Sequence, residues 1–105
     1  MSGGVEDNLA EAVIERLRSL ELELRREGIA QMSLFGSVAR GEAHADSDVD
    51  LAVVLDKAAR VSLIGLAGLE LHLGEVLGRP VELLTLPIKN PWIRASVERD
   101  IRHVF

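Results

Sequence analysis

The chain has 105 residues, with 17 acidic against 12 basic side chains for a formal net charge of −5, and it contains neither cysteine nor tyrosine. That length supports a single modest hydrophobic core, and the absence of cysteine excludes a disulfide scaffold, a thiolate metal site and a Cys nucleophile. A pI near 5.1 and an aromatic content of 3% argue against direct nucleic-acid binding through a basic stripe and stacked rings.

At 48% apolar and 28% charged residues the composition is that of a soluble globular domain. No apolar run approaches the ~18 residues of a membrane span, and the opening Met1-Ser-Gly-Gly-Val-Glu-Asp lacks the pattern of a secretory signal, so the expectation is no membrane association and a cytoplasmic location. Leu9, Val13, Leu17, Leu20 and Leu24 recur at spacings of three and four, which predicts an amphipathic helix from Glu6 to Glu27, stopped by Gly28. Acidic Glu6 and Asp7 at its start and Arg25-Arg26 at its end suit the helix dipole. Ile29 to Phe35 reads as a strand broken by Gly36-Ser37, and after a polar loop Val49 to Leu55 reads as a central strand covered on both faces. A helix from Val61 to Gly78 follows, its first turn weakened by Gly65 and Gly68, then a strand from Pro80 to Thr85. Asn90-Pro91 forms a helix start, opening a last helix to about His103 with Trp92, Ile93, Val97 and Ile101 on its apolar side. The order αββαβα predicts an α/β (α+β) fold with a small three-stranded mixed sheet. Residues 1–28 read as a helix packed on a domain formed by 29–105.

The loop from Gly36 to Ser47 is the most polar and glycine-marked segment, which is where function is expected. Asp48 and Asp50 stand two apart at the entrance of the second strand, so alternation points both side chains to one face. A crossover from Asp56 to Arg79 is long enough to bring the third strand back parallel, which places Glu82 beside them. Three hard carboxylate ligands at one sheet end suit Mg²⁺, which completes its shell with water and phosphate oxygens, so the expected substrate is a nucleoside triphosphate. Gly36 lets the backbone approach a phosphate, Ser37 offers N–H and hydroxyl donors, and Arg40 supplies a positive charge one turn on.

Gly36-Ser37, ten intervening residues, then Asp48-Val49-Asp50 resembles the signature of nucleotidyltransferases related to the palm of DNA polymerase β. The string Gly36-Ser37-Val38-Ala39-Arg40-Gly41, with Asp46-Ser47-Asp48-Val49-Asp50-Leu51, is similar to the minimal nucleotidyltransferase (MNT) family. Leu77-Gly78-Arg79-Pro80-Val81-Glu82-Leu83 looks like the family's third-strand segment, where the family carries Asp and this chain Glu82. The resemblance implies the polymerase-β-type fold, ATP as substrate, two Mg²⁺ ions held by Asp48, Asp50 and Glu82 as the catalytic carboxylates, and Gly36, Ser37, Arg40 and Ser47 at the nucleotide. It further implies the antitoxin half of a HEPN/MNT toxin–antitoxin pair, placing AMP on a tyrosine of the HEPN toxin in a hetero-oligomer. With no tyrosine in this chain, that acceptor belongs to the partner. Two other readings stand beside it: a module that neutralises its partner by docking alone, and a nucleotidyltransferase for a small molecule.

Competing motifs fail on particular residues. Asp46-Ser-Asp48-Val-Asp50 opens like an EF-hand, but Leu51 stands where Gly is needed and Lys57 where Glu is needed. Gly36 and Gly41 form neither a dinucleotide fingerprint nor a P-loop. His44, His72 and His103 lack metal-ligand spacing. The blander readings are Arg40 as a surface arginine paired with Glu42, Glu82 as a solvated strand-end residue, and Trp92 as a packing residue.

Overall fold

The computed structural model describes residues 3–105 apart from Ala45, with side chains described from Leu9 onward. The N-terminal periodicity is realised as two helices, α1 (Gly3–Ser19) and α2 (Glu21–Arg26), rather than one. Their junction is Leu20, and beside it the Ser19 hydroxyl donates back to the Arg16 carbonyl, a local bond that competes with helix continuation. The break still keeps Leu17 and Leu24 fully buried on one side. Glu6 and Asp7, the expected acidic start, carry side chains outside the described residues. Gly28 ends the pair with φ +103°, a left-handed conformation that favours glycine.

Strand β1 (Ile29–Phe35) follows, and a bulge between Ile29 and Gln31 lets Ile29, Met32 and Leu34 all face the main core despite their uneven spacing. Gly36–Ala39, expected as loop, closes one helical turn, α3. Strand β2 (Val49–Leu55) runs antiparallel to β1 and is interior to the sheet, as its continuous apolar run predicts. Helix α4 (Leu63–Leu77) starts at Ser62, whose hydroxyl accepts the Gly65 N–H at 3.0 Å. Strand β3 (Val81–Thr85) lies parallel to β2, and helix α5 (Pro91–Asp100) is capped by Asn90, whose side chain accepts from the Trp92 and Ile93 N–H groups.

Three further expectations need correction. The last helix ends at Asp100 rather than His103, because the backbone turns extended at Ile101 and Arg102–His103 pair with β1 as a short strand, β4. The sheet therefore has four strands in the order β3-β2-β1-β4, with β3 parallel and the other pairs antiparallel. Only Val97 of the expected apolar side of α5 is buried, whereas Trp92 is 84% exposed and so is not a packing residue.

The two sheet faces carry different loads. Val49, Leu51 and Val53 of β2 point into the main core with Ala10, Val13, Ile14 and Leu17 of α1, Leu69 and Leu73 of α4, and Phe105. The opposite face holds a smaller cluster, Ala52, Ile88 and Val97, packed with Phe35, Leu84 and Leu86. By strand alternation Asp50 and Glu82 belong to this second face, ahead of Ala52 and Leu84. The thin covering there leaves the strand entrances open. Among the described residues no helix is long and apolar enough to cross a membrane.

Candidate active site

The site begins where β1 hands over to α3. Phe35 is the register partner of Asp50 across the sheet, so Gly36 stands beside the Asp50 side chain. Gly36 has φ +78°, and a Cβ placed on it would lie 3.2 Å from Asp50 Cγ and closer still to Oδ2. Glycine is required twice over, by the backbone and by the carboxylate.

The parallel register then pairs Asp50 with Glu82, placing the third expected carboxylate on the neighbouring strand. Asp48 is exposed, Asp50 partly buried and Glu82 exposed, so the cluster has one inner and two outer members. The Asp50 carboxyl is pushed from its ordinary 3.8 up to about 6, with partial burial as the largest cause. Repulsion from Glu82 and Asp48 and a hydrogen bond shared with Glu82 contribute to that rise, while Arg40 opposes it. Like charges held together in this way favour a proton or a cation among them. Among the described residues no group of three or more His, Asp or Glu side chains stands at ligating spacing. The donor set nevertheless fits a hard divalent ion, since every member is a carboxylate and the charge on Asp50 is under-compensated.

The remaining expected residues divide. Ser37 sits half-buried on α3, where its carbonyl accepts the Glu42 N–H at 2.9 Å and steadies the turn. Ser47 is 5% exposed, and its hydroxyl accepts the His44 N–H at 2.8 Å while its own N–H donates to the His44 carbonyl at 3.0 Å. These bonds commit Ser47 to closing the loop in front of Asp48. Arg40 donates from Nε to Glu42 at 2.9 Å and from Nη1 to Asp100 at 2.7 Å, and these two carboxylates, Glu42 first, raise its already high pKa further. The pairing with Glu42 is therefore present, and a second partner joins it.

The sequence pattern assigns no role to two contributors. Arg79 donates from Nη1 to the carbonyls of His44 at 2.9 Å and Ser47 at 3.2 Å, tying the loop to the start of β3. Asp100 reaches the site from the end of α5, sixty positions after Arg40. Both act across the fold, Arg79 from within the third-strand segment and Asp100 from outside either motif.

Known proteins resemble this chain in sequence and in fold. Residues 13–103 fit the sequence model of the nucleotidyltransferase domain. The chain is 34% identical over 101 residues to the protein adenylyltransferase MntA of Thermococcus cleftensis, covering 91% of this chain and 100% of that one. A crystal structure of a toxin–antitoxin with AMP-PNP superposes at a TM-score of 0.69 with 25% identity, over 86% of this chain and 72% of that one. The MNT antitoxin in complex with a tri-AMPylated HEPN toxin of Shewanella oneidensis shares the fold at a TM-score of 0.65 and 20% identity, over 91% of this chain and 71% of that one.

Proposed function

The chain belongs to the nucleotidyltransferase domain family and is a nucleotidyltransferase, and from that premise we propose that it transfers AMP from ATP to a tyrosine of a helical HEPN toxin, as the antitoxin of that pair. The observation that carries this reading is the carboxylate cluster: Asp50 in register with Glu82, Asp48 next to it on the same strand entrance, and Gly36 held open against them. Its likeness to an adenylyltransferase and to a toxin–antitoxin structure with AMP-PNP supports the choice of ATP and of a toxin partner.

Asp48, Asp50 and Glu82 would hold Mg²⁺, which when bound neutralises triphosphate charge and lowers the pKa of an acceptor hydroxyl. Gly36 leaves room for the Asp50 carboxylate at the start of α3, with the Ser37 hydroxyl and the Arg40 guanidinium as donors to phosphate. Ser47 and Arg79 hold the loop that presents Asp48. The acceptor oxygen forms a bond to the α-phosphorus as the bond to the bridging oxygen breaks, so pyrophosphate leaves with that electron pair. The acceptor's proton passes to solvent beside the exposed Glu82. Because this chain has no tyrosine, the acceptor enters on the partner.

The test uses the chain, the helical partner, Mg²⁺ and ATP labelled on either the α- or the γ-phosphate. Label from the α-position alone on a partner tyrosine is expected. Neutralisation of the toxin with neither label transferred contradicts the reading and leaves docking alone, which Glu82 in place of Asp favours because the added methylene displaces the carboxylate by about 1.5 Å. E82D is expected to retain or raise transfer.

A further inference from the structure

Arg40 needs something to aim it. It stands just after α3 with its side chain 38% exposed, and a free arginine side chain samples many rotamers. Two carboxylates restrict it unequally. Glu42, at Nε, is two residues away and 64% exposed, so solvent and salt weaken that pair. Asp100, at Nη1, is only 6% exposed and closes the end of α5. A carboxylate so covered requires a partner for its charge, and among the described residues its second oxygen has only Arg99 Nε at 3.7 Å, on a side chain that is 74% exposed. Arg40 Nη2 donates to nothing among the described residues.

We propose that Asp100 is a positioning residue for nucleotidyl transfer, fixing the Arg40 guanidinium through a covered ion pair so that its Nη2 edge faces the phosphates of the nucleotide bound beside Asp50. This rests on reading the Gly36–Asp50 segment as a nucleotide site. Arg40 closes the single turn α3, whose first residue, Gly36, lies against the Asp50 carboxylate. Two of its three nitrogens are anchored and one is left to donate, the pre-organised state that removes an ordering cost from ligand binding. Helix α5, outside the Gly-Ser and Asp-x-Asp motif, thereby supplies part of the phosphate site.

Calorimetric titration of the full chain with AMP-PNP and Mg²⁺ tests this with wild type, D100A, D100N, R40A and R40A/D100A. D100A is expected to weaken binding by about tenfold, and D100N, which keeps an acceptor but loses the charge, by about threefold. On the R40A background D100A should have no further effect, since the residue it positions is gone. A merely structural tie would cost the same in both backgrounds, so additive losses overturn the proposal. Unchanged binding by D100A beside a weakened R40A overturns it while leaving the nucleotide reading intact. No binding by wild type overturns both. Should D100A fail to fold in thermal melts, D100N and R40A/D100N complete the same cycle.

Discussion

Gly36 and Asp50 are one unit in physical terms. Any Cβ at position 36 meets the Asp50 carboxylate, and the φ of +78° is strained for every other residue. G36A is therefore expected to cost about 1–3 kcal/mol of stability and to remove nucleotide binding, measured by chemical denaturation and by AMP-PNP titration. Asp50 carries a second prediction. Its carboxyl ionises near 3.8 in the unfolded chain and at about 6 in the fold, so the folded state holds the proton more tightly. This group's contribution to metal-free stability thus falls as pH rises from 3.8 to about 6, and above that window the full penalty is present. D50N should melt above wild type in chelator at about pH 8, by about 1 kcal/mol after allowance for solvent screening, with the gain vanishing below about pH 3.5. Equal melting at the higher pH contradicts the under-compensated cluster.

Helix α5 shows how element structure serves the site. Asn90 satisfies two N–H groups at its start, so N90A is expected to cost about 1 kcal/mol in denaturant unfolding and to weaken nucleotide binding only slightly, because Asp100 lies at the opposite end. Much of the element plan was legible in the sequence, and the exceptions have physical causes. The apolar run Val49 to Leu55 announced an interior strand, and the long crossover announced its parallel neighbour, which together placed Glu82 against Asp50. The break at Leu20 was hidden because leucine periodicity runs straight through it. Strand β4 was hidden because Arg102–His103 is too short to show alternation, and its place depends on Arg18 donating to the Val104 and His103 carbonyls and on Met32 pairing with Val104 and Phe105. The carboxylates were readable as local spacing. Asp100 and Arg79 were not, since their roles arise only when distant segments meet.

At the scale of the whole molecule, the net charge of −5 is unevenly spent. Asp48, Asp50 and Glu82 concentrate three negative charges at one sheet end, and two divalent ions there would change the local balance from about −3 to about +1. On the proposed reading, an acidic chain would thereby acquire a phosphate-binding surface without a basic stripe. Transfer should accordingly fall to background in chelator and return on adding Mg²⁺, read as label on the partner's tyrosine.

The most direct measurement of the central claim is calorimetric titration of AMP-PNP into wild type and into D48N/D50N, each with and without Mg²⁺. Binding is predicted only for wild type with the metal ion, with both proteins folded by circular dichroism. Equal binding without Mg²⁺, or binding retained by folded D48N/D50N, would contradict the assignment of these carboxylates to a metal-held nucleotide.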